Sequence, residues 1–104
     1  MSLAQDFAAV HDGHIRLAVL RLLDGAPGYC ANDSVLHQAV GATGLACSRD
    51  QMRGHVGWLE EQRLITTATL SSGLIVATLN ERGADVANGR SVMNGVQRPA
   101  PRGS

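Results

Sequence analysis

The chain has 104 residues and a mass of 10.9 kDa, room for one modest core and not for two. Nine arginines balance nine acidic residues, so the zero net charge gives no strong overall field toward a polyanion. The longest apolar runs are as short as Leu17 to Leu20, far below the roughly 20 residues of a membrane-spanning helix. No basic stretch followed by an apolar segment opens the chain, and Cys30 and Cys47 are too few for a secreted disulfide scaffold. A soluble cytoplasmic protein with no membrane partner is expected.

The charge is uneven along the chain. Residues 1–47 carry Arg16 and Arg21 against Asp6, Asp12, Asp24 and Asp33, whereas 48–104 carry seven arginines against Asp50, Glu60, Glu61, Glu81 and Asp85. The halves are therefore about −2 and +2. No lysine occurs, a pattern that fits codon bias as well as selection for phosphate or base recognition.

From Leu3 to Leu23, Phe7, Val10, Ile15, Ala18, Val19 and Leu22 recur at helical spacing, predicting a first helix with an interruption at Gly13. Gly25, Pro27 and Gly28 end it, and Tyr29 with Cys30 suggest a very short strand. Asn32 or Asp33 caps a second helix carrying Val35, Leu36, Ala39 and Val40, which closes at Gly41 and Gly44. Ser48 and Gln51 form a capping box at the start of a third helix. In that helix Met52, Val56 and Leu59 fall at i, i+4 and i+7 as one buried stripe, leaving Arg49, Arg53, Glu60 and Glu61 off it. Leu64 to Leu70 and Leu74 to Leu79 read as a β-hairpin turning at Ser71, Ser72 and Gly73. Asn80 caps a short last helix through Val86 and Ala87 that ends at Gly89. Residues 90–104, with Pro99, Pro101 and no acidic residue, read as a solvated tail. The order helix, helix, helix, hairpin, helix predicts a mainly α, α+β fold over 1–89: a three-helix core with a wing and a short C-terminal helix, the winged helix-turn-helix.

The stretches SRDQMRGHVGWLEEQRLI and TTATLSSGLIVATLNERG resemble the recognition helix, wing and last helix of bacterial winged-helix regulators of the ArsR-like and MarR-like groups, over about residues 14–89. HIRLAVLRLLDGAPGY, NDSVLHQAV and GVQRPAPR together resemble the small winged-helix proteins of Mu-like prophages. The resemblance implies a transcriptional regulator that binds double-stranded DNA as a homodimer, reading the major groove with the third helix, about residues 49–62. One recognition helix reads too few base pairs for useful specificity, so a dimer is expected through helix 1, where Leu3, Phe7 and Val10 extend an apolar stripe beyond what a three-helix core needs, with the C-terminal helix as a second candidate. Two departures stand beside it. The wing tip Ser71, Ser72 and Gly73 carries no cation to grip a phosphate, and no cysteine lies between Ser48 and Gln62, so no metal site is carried over.

If the third helix enters a groove, Ser48, Arg49, Gln51, Arg53 and His55 are the candidate DNA-binding residues, because arginine forks onto guanine and glutamine onto adenine. The competing reading gives Arg49 and Arg53 to solvent, Gln51 to its cap and His55 to packing. On the DNA reading, Arg53→Ala leaves the fold intact and weakens specific binding by about 1–3 kcal/mol. Trp58 is expected to cover the base of the hairpin, with a partner contact as the second reading, and the helix cost of Gly54 and Gly57 is offset by close approach of DNA or another helix unless the two glycines reflect chance or codon bias. Cys30, Cys47, His11 and His14 lack the spacing of a zinc site, and no nucleophile elbow, phosphate loop or HExxH pair occurs. No metal, cofactor or enzymatic activity is expected. A second reading makes the same fold a phage-type adaptor or assembly factor that binds protein instead of DNA.

Overall fold

The computed structural model describes residues 2–100. Helix α1 (Leu3–Gly25) opens on a capping box of its own, in which Ser2 and Gln5 satisfy each other's backbone donors. It runs unbroken through Gly13, where the spacing predicts an interruption. Gly13 is there for another reason: a Cβ would press on the backbone nitrogen of Gln97 at 3.3 Å. A short 3-10 turn at Pro27–Tyr29 leads into strand β1 (Cys30–Asn32), and helix α2 (Asp33–Ala42) follows at once. The Asn32 side chain caps α2 by accepting from the Val35 N–H, which leaves Asp33 free for another use.

Helix α3 (Arg49–Glu61) starts at the expected capping box and buries Met52, Val56 and Leu59 as one stripe. It ends in a reversal in which the Arg63 N–H donates to Glu60 and the Leu64 N–H to Leu59. Arg63 takes the left-handed conformation (φ 62°) that glycine usually supplies at this point. The chain then forms strands β2 (Ile65–Thr69) and β3 (Ile75–Leu79), joined through Ser71, Ser72 and Gly73.

All strand pairs are antiparallel, in the order β1-β3-β2, with Thr69 opposite Ile75 and Ala31 opposite Ala77. Helix α4 (Glu81–Ala87) is capped by Asn80 and passes the residue before β2 so closely that a Cβ on Gly83 would fall on the Leu64 carbonyl. One core joins Leu20 and Leu23 of α1, Leu36 and Val40 of α2, the α3 stripe, Leu64, Ile65 and Val86. The fold is therefore α+β, a three-helix core with a hairpin wing and a short last helix.

The buried stripe of α2 is Asp33, Leu36 and Val40, while Val35 faces solvent. Two expectations are corrected. Residues 90–100 do not leave the domain as a solvated tail. Val96 is buried, and the Gln97 N–H donates to the Gly13 carbonyl at 3.1 Å, because burying apolar Val96 favours a segment folded back on the domain. Residues 101–104, the rest of that expected tail, lie outside the described residues. Trp58 does not cover the hairpin: its ring lies under Arg16 of α1 and against Gly95.

Candidate interaction surface on the third helix

Helix α3 meets the rest of the molecule along Met52, His55, Val56 and Leu59. At 100° per residue the opposite direction is taken by Asp50, Gly54, Gly57 and Glu61, at i, i+4, i+7 and i+11. This outer ridge has a carboxylate at each end and two glycines between, and a Cβ on either glycine would meet open space. Among the described residues nothing approaches Gly54 and Gly57, so no contact within the chain offsets their helix cost of up to about 1 kcal/mol each.

The flank toward α2 and the wing is organised by Asp33. Its carboxylate is fully buried and accepts from three donors on two elements: Arg53 Nε at 2.8 Å and Arg49 Nη2 at 3.3 Å from α3, and the Ile75 N–H at the start of β3 at 2.9 Å. Arg53 Nη2 also reaches the Gly73 carbonyl at 3.4 Å, tying α3 to the wing. Burial alone raises the Asp33 pKa. The donors Arg53, Ile75 and Arg49 outweigh it and hold the carboxyl at about 2. Glu60, further along the same flank, accepts from the Thr67 N–H at 2.9 Å and its hydroxyl at 2.8 Å.

The flank toward α1 is organised by a neutral ring. Arg16 Nε donates to His55 Nδ1 at 3.2 Å, so the ring proton of neutral His55 sits on Nε2, 3.5 Å from Asp12 Oδ1. Burial lowers the His55 pKa, the Arg16 charge lowers it further, and Asp12 opposes both. The same guanidinium stacks at 4.0 Å on the Trp58 ring and donates through Nη1 to the Gly95 carbonyl at 3.1 Å. Gly95 (φ 95°) is needed here because a Cβ would meet the Trp58 ring at 2.7 Å.

The structure divides the five residues that sequence reasoning nominates for a groove. Ser48 and Gln51 are engaged with each other: the Gln51 N–H donates to Ser48 Oγ at 3.0 Å and the Ser48 N–H to Gln51 Oε1 at 2.8 Å. Arg49 and Arg53 turn to Asp33, with side chains still 43 % and 42 % exposed. His55 is buried against α1. None of the five stands on the outer ridge. The premise that Arg53 is free of the fold is thus corrected, since it is the shortest of the three bonds to a buried carboxylate. Asp33 and Arg16 were missed as organisers, although Asp33 shares the i, i+3, i+7 stripe of Leu36 and Val40 and could have been flagged as a buried acid in need of cations.

The wing tip is exposed and uncharged. Cys30 and Cys47 are free thiols, and among the described residues no group of three or more His, Cys, Asp or Glu is placed to hold a metal ion. No helix of the described residues is long and apolar enough to cross a membrane.

Fold and surface together define a small helix-rich domain with a hairpin wing, whose distinctive feature is a third helix with its arginines drawn toward a buried carboxylate. The chain belongs to the family of gp26, an uncharacterized protein of Escherichia phage Mu, with which it is 46% identical over 87 residues, 84% of this chain and 88% of the phage protein. An uncharacterized protein of Haemophilus influenzae is 45% identical over 67 residues, 64% of this chain and 65% of that one. No family model matches, and no solved structure matches. The narrower resemblance to proteins of Mu-like phages is met at the level of family; the regulator groups are not among the matches.

Proposed function

We propose that this chain is a protein-binding winged-helix module of Mu-like phages, a cytoplasmic adaptor or assembly factor that catalyses no reaction. The observation that carries the reading is the placement of Arg49 and Arg53 on the buried Asp33 carboxylate. A groove-reading helix needs such guanidiniums directed at base edges or phosphates. What α3 presents outward is Asp50, Gly54, Gly57 and Glu61, two carboxylates that repel a phosphate backbone and two glycines that admit a close neighbour. Small residues let backbones approach, and acidic ends favour a partner segment with basic residues about one and a half turns either side of the contact.

A DNA reading keeps one observation in its favour: both arginines remain two-fifths exposed at the N-terminal half of the helix that a winged-helix fold inserts in the major groove. A duplex binding there has to compete with Asp33 for them. Fluorescence anisotropy of a labelled random-sequence duplex from about 50 to 200 mM salt separates the two. The adaptor reading expects an affinity no better than the weak non-specific range, about 10⁻⁴ M, at the low-salt end. Micromolar binding that weakens at least tenfold across the range and disappears in Gly54→Glu overturns it. The same variant, charged at an open position, should lose a phage or host protein that the wild type retains.

A further inference from the structure

The first turns of α1 project beyond the core. Residues 2–10 are all exposed, and Leu3, Phe7 and Val10 among them are 88%, 71% and 54% exposed. Asp6 is the one formally charged side chain of that segment. Phe7 is held against His11, one turn on, with ring centroids 5.9 Å apart. Further along the same helix face lies a groove of 440 Å³ between α1 and the α2–α3 turn, lined by His14, Leu17, Ala18, Arg21, Thr43 and Leu45. Leu3, Phe7, Val10, His14, Leu17, Ala18 and Arg21 follow helical spacing as one continuous stripe of about 27 Å.

We infer that this stripe is a self-complementary seam, and that two copies of the chain pair through α1 in antiparallel orientation with Phe7 of each seated in the groove of the other. Charge and shape select the orientation. A two-fold axis near residue 12 brings Phe7 opposite Leu17, Val10 opposite His14 and Leu3 opposite Arg21. It also puts the Asp6 carboxylate within about one turn of the other copy's Arg21, twice over by symmetry. A parallel pair sets Asp6 against Asp6, aligns the helix dipoles and leaves both grooves empty. Helix α4 offers no competing apolar face, because Val86 and Ala87 are already inside their own protomer. The seam lies at the small end of specific interfaces, about 1,200 Å² in total, so dissociation on the order of micromolar fits. It leaves the outer ridge of α3 open and does not rest on what that ridge binds.

Sedimentation equilibrium of the purified chain is the test, with dimers expected at tens of micromolar. Phe7→Glu changes a side chain that is exposed in the monomer and stacks on His11. It should raise the dissociation constant at least a hundredfold with an unchanged circular dichroism spectrum. Asp6→Arg and Arg21→Asp should each weaken the dimer about tenfold, and the double exchange should restore it. A wild type that stays monomeric at 100 µM, a dimer indifferent to Phe7→Glu, or a charge exchange that fails to rescue overturns the pairing. Gly54→Glu leaves the dimer intact, so failure of the seam and failure of the α3 reading are told apart.

Discussion

The two flanks of α3 are held by opposite electrostatics. Toward α2 and the wing, a buried anion gathers two half-exposed cations and a backbone N–H. Toward α1 and the C-terminal segment, a cation lies between an aromatic face and a neutral imidazole, with the Gly95 carbonyl as its third contact. The first joint depends on a full charge in a place without water, where each missing donor is costly. The second depends on stacking and on the absence of side chains at Gly13 and Gly95, so shape governs it more than charge. The first turns Arg49 and Arg53 of α3 toward Asp33 and away from the outer ridge, which keeps an acidic, glycine-lined exterior on a helix that carries two arginines.

The comparison is broken most severely at Asp33. Asp33→Ala leaves the Ile75 N–H without its acceptor and removes the common partner of Arg49 and Arg53. Because those guanidiniums can rehydrate, the expected loss is about 3 kcal/mol in urea denaturation, the low end for a broken buried pair.

Acid should separate the flanks without mutation. The folded Asp33 pKa of about 2 lies below the unfolded value of 3.8, so its contribution is complete above pH 4 and lost as pH falls from about 4 to 2, on the order of 2 kcal/mol. The folded His55 pKa lies below the ordinary 6.5, so the neutral ring is fully tolerated above that value and stability begins to fall below it. Asp33→Asn should flatten the lower step of a pH-stability curve and leave the upper one in place; His55→Gln should do the reverse.

On the α1 flank, Gly95→Ala forces a Cβ into the Trp58 ring at a residue with φ 95°. A loss of about 1–2 kcal/mol and a change in Trp58 fluorescence are expected, with the Asp33 step unchanged. The smallest effects belong to the ridge: Gly54→Ala and Gly57→Ala should each stabilise the fold by about 0.5–1 kcal/mol in thermal unfolding, since both positions are open. On the adaptor reading, both should still weaken partner binding.

Elements whose physics is local were legible in the sequence. The Ser48–Gln51 box, the Met52–Val56–Leu59 stripe, the hairpin around Ser71–Gly73 and the Asn80 cap all depend on residues a few positions apart. The arginines were legible as a pair on one side of α3 but not as partners of Asp33, because the bonds span sixteen and twenty positions, |i−j| = 16 and 20. The return of the C-terminal segment was hidden for the same reason. Its contacts link Gly13 to Gln97 and Arg16 to Gly95, and only the glycines at both ends hint at the close crossing. The missing wing-tip charge was visible at once and acquires its meaning beside the inward arginines.

The central claim, that Arg49 and Arg53 serve the fold and leave α3 to a protein partner, is tested most directly by following the arginine Nε–H and α3 backbone signals in ¹H–¹⁵N NMR. Random-sequence duplex would be titrated in at about 50 mM salt. The account predicts slowly exchanging, unshifted Arg53 Nε–H and quiet amides from Arg49 to Glu61. Saturable shifts of those signals, with Arg53 Nε–H released from Asp33 as duplex is added, would contradict it.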